Sequence, residues 1–117
     1  MILVDTSVWV DHLRRGNDDL GRLLVDEQVL CHPFVVGELA CGRLTDRAEI
    51  LARLQALPQA RSVEHQEALA FVEMHRLMGA GLGWVDANLL ASATLSAASV
   101  WSLDRRLVTA ARRLGLS

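Results

Sequence analysis

Lysine is missing from this chain of 117 residues. All twelve basic residues are arginine, set against fourteen acids, and the net charge of −2 gives no global basic signal for nucleic acid. Composition bias accounts for the arginine preference more readily than function does. Arginine also supplies a planar fork that grips phosphate with two hydrogen bonds. The absence of lysine removes any chemistry that needs a catalytic amine.

Cysteine is scarce. Cys31 and Cys41 have nine residues between them and no second pair, which makes a zinc site a poor reading. The two could pair, but nothing points to an oxidising compartment. The N-terminus lacks the basic flank and long apolar core of a signal peptide, so free thiols in the cytoplasm are expected. The four histidines, His12, His32, His65 and His75, lack zinc spacing, and HExxH is absent. Gly79–Ala80–Gly81–Leu82–Gly83 is not GxGxxG and follows a helical stretch, so it reads as a connector. The long uncharged run Ala87 to Leu103 contains Asn, Thr and four Ser. A helix followed by a strand suits it better than a membrane span. Low-complexity segments and repeats of 20–50 residues are also lacking.

What is present is an ordinary globular composition, 51% hydrophobic and 22% charged. A chain of this length buries roughly two-thirds of its unfolded surface and needs no staples. One domain, residues 1–117, is expected. Ile2–Asp5 reads as a buried strand, Ser7–Arg14 as a helix, and Asp18–Glu27 as a second helix capped by Asn17 or Asp18. Val29–His32 is a strand. Pro33 opens a helix that runs to Cys41 and ends at Gly42. A helix capped by Thr45 or Asp46 reaches Leu57, where Pro58 stops it. Ala60–Val63 is a candidate short strand and His65–Met78 a helix. Trp84–Ser96 is a helix, Ser99–Leu103 a strand and Arg105–Leu114 a closing helix. Strands separated by helices predict an α/β fold with a short parallel sheet covered on both faces. Ligands then gather beyond the carboxyl ends of the strands.

Four acids stand in apolar surroundings. Asp5 ends the first strand and Asp104 follows the last one. Glu38 lies in PFVVGELACG and Asp86 in GWVDANLLASA. Each has a bland alternative. Asp5 and Asp104 could cap the helices that follow, Asp86 could favour a helix dipole, and Glu38 could be an exposed helix residue. Taken together, four carboxylates converging on one cleft would repel one another and raise their pKa values unless a cation lay between them. Mg²⁺ or Mn²⁺ is the hard, oxygen-seeking ion that such a set suits. Phosphodiester hydrolysis is the chemistry that such a site serves.

The ordered motifs VDTSVWVD, GELACG, VDANLLASA and WSLDRRL resemble the PIN-domain ribonucleases. More narrowly they resemble the VapC toxins of type II toxin–antitoxin modules, over essentially the whole chain. The resemblance implies a three-layer PIN-like α/β domain and an endoribonuclease that hydrolyses RNA with Mg²⁺ or Mn²⁺. It assigns the acidic site to Asp5, Glu38, Asp86 and Asp104, with Asp5 and Asp86 the clearest metal ligands. Ser7 and Ser102 match hydroxyl positions that orient these acids or a bound water; a helix cap for Ser7 and an ordinary strand hydroxyl for Ser102 are the alternatives. It further implies a cognate VapB-type antitoxin and a homodimer. Family members often follow the last Asp with another acid and a Phe. Here Arg105, Arg106 and Leu107 follow, which leaves one acid fewer and weakens the case for a second metal. Arg105 and Arg106 are candidate contacts for RNA phosphates or the antitoxin; a solvated helix face is the alternative. Trp101 is expected in the core; Trp9 and Trp84 lie near the acids and could line the cleft or an interface, with a core or interface place favoured over stacking on RNA bases.

Two rival readings remain. A haloacid-dehalogenase-like phosphatase wants an acid two residues after Asp5, where Ser7 stands, and a lysine that the chain lacks. A non-catalytic PIN fold that binds RNA or an antitoxin stays open on sequence grounds.

Overall fold

The first strand sits at the centre of the molecule. In the computed structural model, which describes residues 1–117, β1 (Ile2–Val4) lies between β2 (Val29–Leu30) and β3 (Ser99–Trp101), parallel to both. Leu3 faces Leu30 on one side and Val100 on the other, and Val4 faces Trp101. Adjacent strand residues point to opposite faces. Leu3 and Val4 are both 0% exposed, so both faces of the sheet are covered and the architecture has three layers.

Seven helices supply that cover: α1 (Thr6–Arg15), α2 (Asp18–Val25), α3 (Pro33–Cys41), α4 (Arg47–Ala56), α5 (His65–Met74), α6 (Trp84–Leu95) and α7 (Arg105–Arg113). Asn17 caps α2 by accepting from the Leu20 amide at 3.0 Å. Pro33 occupies the first turn of α3, where a missing N–H is harmless. Helix α6 is the most enclosed, with every residue from Ala87 to Ala93 buried. A single cluster of buried side chains joins β1, β2 and β3 to the inward faces of α1, α3, α6 and α7.

Four expectations are corrected. Ala60–Val63 forms no strand. The chain makes one bridge there, Cys31 to Gln59, fixed by the amides of Cys31 and Ala60. The fifth helix stops at Met74 rather than Met78, because Arg76 adopts a left-handed conformation (φ 52°) that no helix accommodates. Its partner Leu77 is nonetheless buried, anchored through its amide to Val72 O at 3.0 Å. Strand β3 ends at Trp101, short of Leu103. Asp46 precedes α4 in a left-handed conformation (φ 54°) and makes no side-chain cap.

His32 shows how a polar side chain is buried without charge. Its Nδ1 accepts from the Phe34 amide at 2.9 Å, which leaves the proton on Nε2, 3.0 Å from Ser92 Oγ. Burial lowers its pKa.

Candidate active site

Parallel strands place their carboxyl ends on one edge. There β1 delivers Asp5 and β3 delivers Ser102, and the Asp5 amide donates to Trp101 O at 2.9 Å. Asp5 precedes α1 yet makes no side-chain cap to it. Its Oδ2 instead accepts from Ser7 Oγ and from Ser102 Oγ, each at 2.7 Å. Each serine in turn accepts from a backbone amide, Ser7 from Leu103 and Ser102 from Asp104, both at 2.9 Å. A hydroxyl carries one proton. Both protons are committed to Asp5, so the 3.3 Å approach of the two Oγ atoms adds no bond. Asp5 is only 6% exposed. Its Oδ1 has no donor in the chain and is not sealed from solvent.

The other acids reach this edge from three helices. Glu38, on α3, is exposed and takes a 2.6 Å hydrogen bond from Thr6 Oγ1, the residue after Asp5. Asp86 lies in the first turn of α6, where its Oδ2 accepts from the Gly83 amide at 3.0 Å. Asp104 caps α7, its Oδ1 accepting from the amides of Arg106 at 2.9 Å and Leu107 at 3.4 Å. Capping and site membership are therefore not alternatives for Asp104; one oxygen holds the helix and the other remains unbonded.

Asp86 registers the presence of the rest. Its pKa is raised, first by burial and then by repulsion from Asp5, Asp104 and Glu38; the Gly83 amide opposes the rise. No basic side chain relieves this charge. The ion pairs of the chain are Arg15–Asp11, Arg22–Asp19 and Arg53–Glu49, all elsewhere. An oxygen-only donor set without histidine or thiol fits a hard divalent cation. As they stand, no three of the acids form a tight ligand cluster. An ion that keeps much of its water, as Mg²⁺ does, needs fewer direct protein ligands than a closed cage would supply.

Around the acids the other expected residues divide. Arg106 lies along the glycine loop: a Cβ on Gly81 would come within 2.7 Å of its Cδ. Arg105 is exposed. Trp84 is 40% exposed and tilts against His65, with ring centroids 5.1 Å apart. Trp9 is turned into the core, and its Nε1 has no partner. Trp101 is half-buried. Sequence reading overlooked Thr6 as the partner of Glu38. A hydroxyl directly after a strand-end acid was the available signal. The amides of Leu103 and Asp104, which fix the two serines, left no signal at all.

Residues 2–113 match the PIN domain family. The chain is 47% identical over 118 aligned positions to Ribonuclease VapC32 of Mycobacterium tuberculosis, in two strains, covering 100% of this chain and 95% of the relative. Among solved structures it is similar to FitAcB from Neisseria gonorrhoeae, at TM-score 0.66 and 23% identity over 96% of this chain and 94% of that one. It is also similar to PAE2754 from Pyrobaculum aerophilum, at TM-score 0.60 and 16% identity over 99% and 90% of the two chains. These two likenesses concern the fold; the full-length identity goes further. With the strand order, the acid-bearing edge and a family match spanning nearly every residue, the chain belongs to the PIN-domain ribonucleases, in their VapC-type branch.

Proposed function

We propose that this chain is the toxic component of a type II toxin–antitoxin module, an endoribonuclease that hydrolyses RNA phosphodiester bonds with Mg²⁺ or Mn²⁺ at Asp5, Glu38, Asp86 and Asp104. The observation that carries the reading is the convergence of four carboxylates at the carboxyl edge of the sheet, Asp5 held by two serines, Glu38 by Thr6, Asp86 by the Gly83 amide and Asp104 at the start of α7, with no ion pair among them. The name of the mycobacterial relative, a ribonuclease, supports the substrate class.

A divalent cation held among these carboxylates would make water more acidic and offset charge on the scissile phosphate. The chain's own residues do the rest. Ser7 and Ser102 fix Asp5 through one oxygen, which leaves Oδ1 directed away from the network as a ligand of set orientation. Thr6 steadies Glu38 beside it. Asp104 is immobilised by its own helix, and Asp86 by the Gly83 amide. Rigid placement of this kind limits reorganisation during the reaction. Arg105 and Arg106, at the start of α7, would meet phosphates or the antitoxin at the rim.

A cognate VapB-type antitoxin would silence the enzyme, and a homodimer would be the working unit. Apolar side chains left in water, Met74 and Leu103 among them, support such contacts. No helix is long and apolar enough to cross a membrane, and the free cysteines are in keeping with a cytoplasmic setting.

The test is cleavage of total cellular RNA by purified, antitoxin-free protein in Mg²⁺, Mn²⁺ or EDTA, beside an Asp5→Asn/Asp86→Asn variant. Discrete fragments that need metal and vanish in the variant are expected. RNA binding without cleavage would make the chain a non-catalytic binding module instead.

A further inference from the structure

A groove of about 770 Å³ opens directly off the acid site, within the roughly 300–1,000 Å³ typical of ligand pockets. One wall is α1, which contributes Thr6, Val10, Leu13 and Arg14. These positions recur at helical spacing and share one face. The other wall is the end of α3, the link after it and the start of α4, bringing Glu38, Arg43 and Ile50. Thr6 and Glu38 are the pair already hydrogen-bonded at the site. Groove and acid site are therefore continuous.

Two cations, Arg14 and Arg43, line this groove together with the acids Glu38 and Asp46, and neither arginine takes part in the chain's ion pairs. Both are exposed. Lacking an acid partner does not by itself set them apart, since only Arg15, Arg22 and Arg53 of the twelve arginines have one; their place does, on the walls of the groove that opens from the acids. Unmatched arginine beside a cluster of four acids suits a ligand that is itself anionic and must approach those acids. From Thr6 to Arg14 the helix advances about 12 Å, at 1.5 Å per residue. Along one nucleic-acid strand, at about 3.4 Å per nucleotide, that is three or four nucleotides. Leu13 and Ile50 offer apolar surface to base faces while the arginines meet phosphates.

We propose that this groove is the track for the single-stranded RNA flanking the scissile bond, with Arg14 and Arg43 as its phosphate contacts. The assignment rests on the ribonuclease reading above. It concerns residues distinct from Arg105 and Arg106 at the start of α7.

The test is binding of a short fluorescent single-stranded RNA to Asp5→Asn protein, followed by anisotropy across a salt series. The same series is run on Asp5→Asn carrying Arg14→Gln/Arg43→Gln, and on Asp5→Asn carrying Arg22→Gln/Arg53→Gln as a control. Each phosphate contact on a single strand adds about 0.7 to the slope of log affinity against log salt. Loss of two contacts lowers the slope by about 1.4 in the groove variant, while the control keeps its slope. Equal losses in both would mean that overall charge, not the groove, attracts RNA, and would overturn the assignment. An unchanged slope in the groove variant would overturn it too, leaving the groove to a protein occupant. Cleavage by the unaltered chain, measured alongside, separates the two claims. RNA cut with an unchanged slope sinks the groove and leaves the nuclease; a lowered slope without cutting does the reverse.

Discussion

Replacing Ser102 with alanine attacks the network that holds Asp5. The Ser102 hydroxyl makes two bonds. It donates to Asp5 Oδ2 at 2.7 Å and accepts from the Asp104 amide at 2.9 Å. The first is a hydrogen bond to a charged, buried acceptor, a class worth about 1.5–3 kcal/mol. Its loss leaves Asp5 Oδ2 with Ser7 alone. The second loss strands an amide that the adjacent loop can turn toward water, so it adds little. Ser102→Ala should therefore destabilise the fold by about 2 kcal/mol. At roughly 4 °C per kcal/mol for a chain of this size, the midpoint falls by about 8 °C. Thermal unfolding by circular dichroism in EDTA reads this directly. Ser7→Ala should behave alike, because it donates to the same oxygen and accepts from the Leu103 amide. Since both hydroxyls serve one atom, the double variant should depart from the sum of the singles by at least about 0.5 kcal/mol. A Ser102→Ala midpoint within about 2 °C of the original, or strict additivity with Ser7→Ala, would refute the claim that this relay fixes Asp5.

Three further outcomes are expected. Asp86→Asn keeps its bond from the Gly83 amide and sheds a carboxylate that burial and its neighbours disfavour. In EDTA it should melt higher than the original at neutral pH and cleave no RNA. A raised native pKa means that stability declines as pH climbs from the ordinary carboxylate value of about 4 through the raised one, so the gain should vanish in acid. His32 has the opposite sign. Burial lowers its pKa, so the unfolded chain takes up a proton below pH of about 6.5 while the folded chain does not. Stability should drop by up to about 1.4 kcal/mol per pH unit below that point; His32→Gln should flatten this stretch of a urea-denaturation series. Finally, Gly79 and Gly81 both have positive φ, 73° and 77°, but only at Gly81 would a Cβ meet Arg106. Arg106 is exposed and meets Gly81 with the far end of a flexible side chain that can swing away, so both Gly79→Ala and Gly81→Ala should cost about 1 kcal/mol of backbone strain; a markedly larger cost at Gly81 would show that Arg106 is held in place there.

The architecture was legible because its signals are local. Ile2–Val4 is apolar on both faces, which only a strand covered on both sides tolerates, and Pro33 and Gly42 bracket α3. The four acids stood out for the same reason, as charges in apolar company. Local signals also misled. Leu77 continued the apolar spacing of α5, and nothing in the residue types announced that Arg76 would turn left-handed and end the helix. Ala60–Val63 had strand-like content, yet pairing depends on a neighbouring edge, and the chain keeps beside β2 for one bridge only. The Thr6–Glu38 bond was out of reach, because which side of α3 meets α1 is decided by packing across 32 residues of chain. The choice between cleft, interface and core for Trp9 was likewise left open by the sequence, and the structure puts it in the core.

The central position of β1 bears on how the protein is made. The strand that lies in the middle is made well before one of its two partners, since β3 comes nearly a hundred residues later. Until residues 99–104 have left the ribosome, Asp5 lacks Ser102, the amides behind both serines do not exist, and Asp104 has not been added. At roughly 5–20 residues per second, about 5–20 s of synthesis separate Asp5 from the residues that complete its surroundings. On the ribonuclease reading proposed above, the acid edge thus comes together late in the order of the chain, and an inhibitor that recognises the earlier helices could dock before that edge is complete.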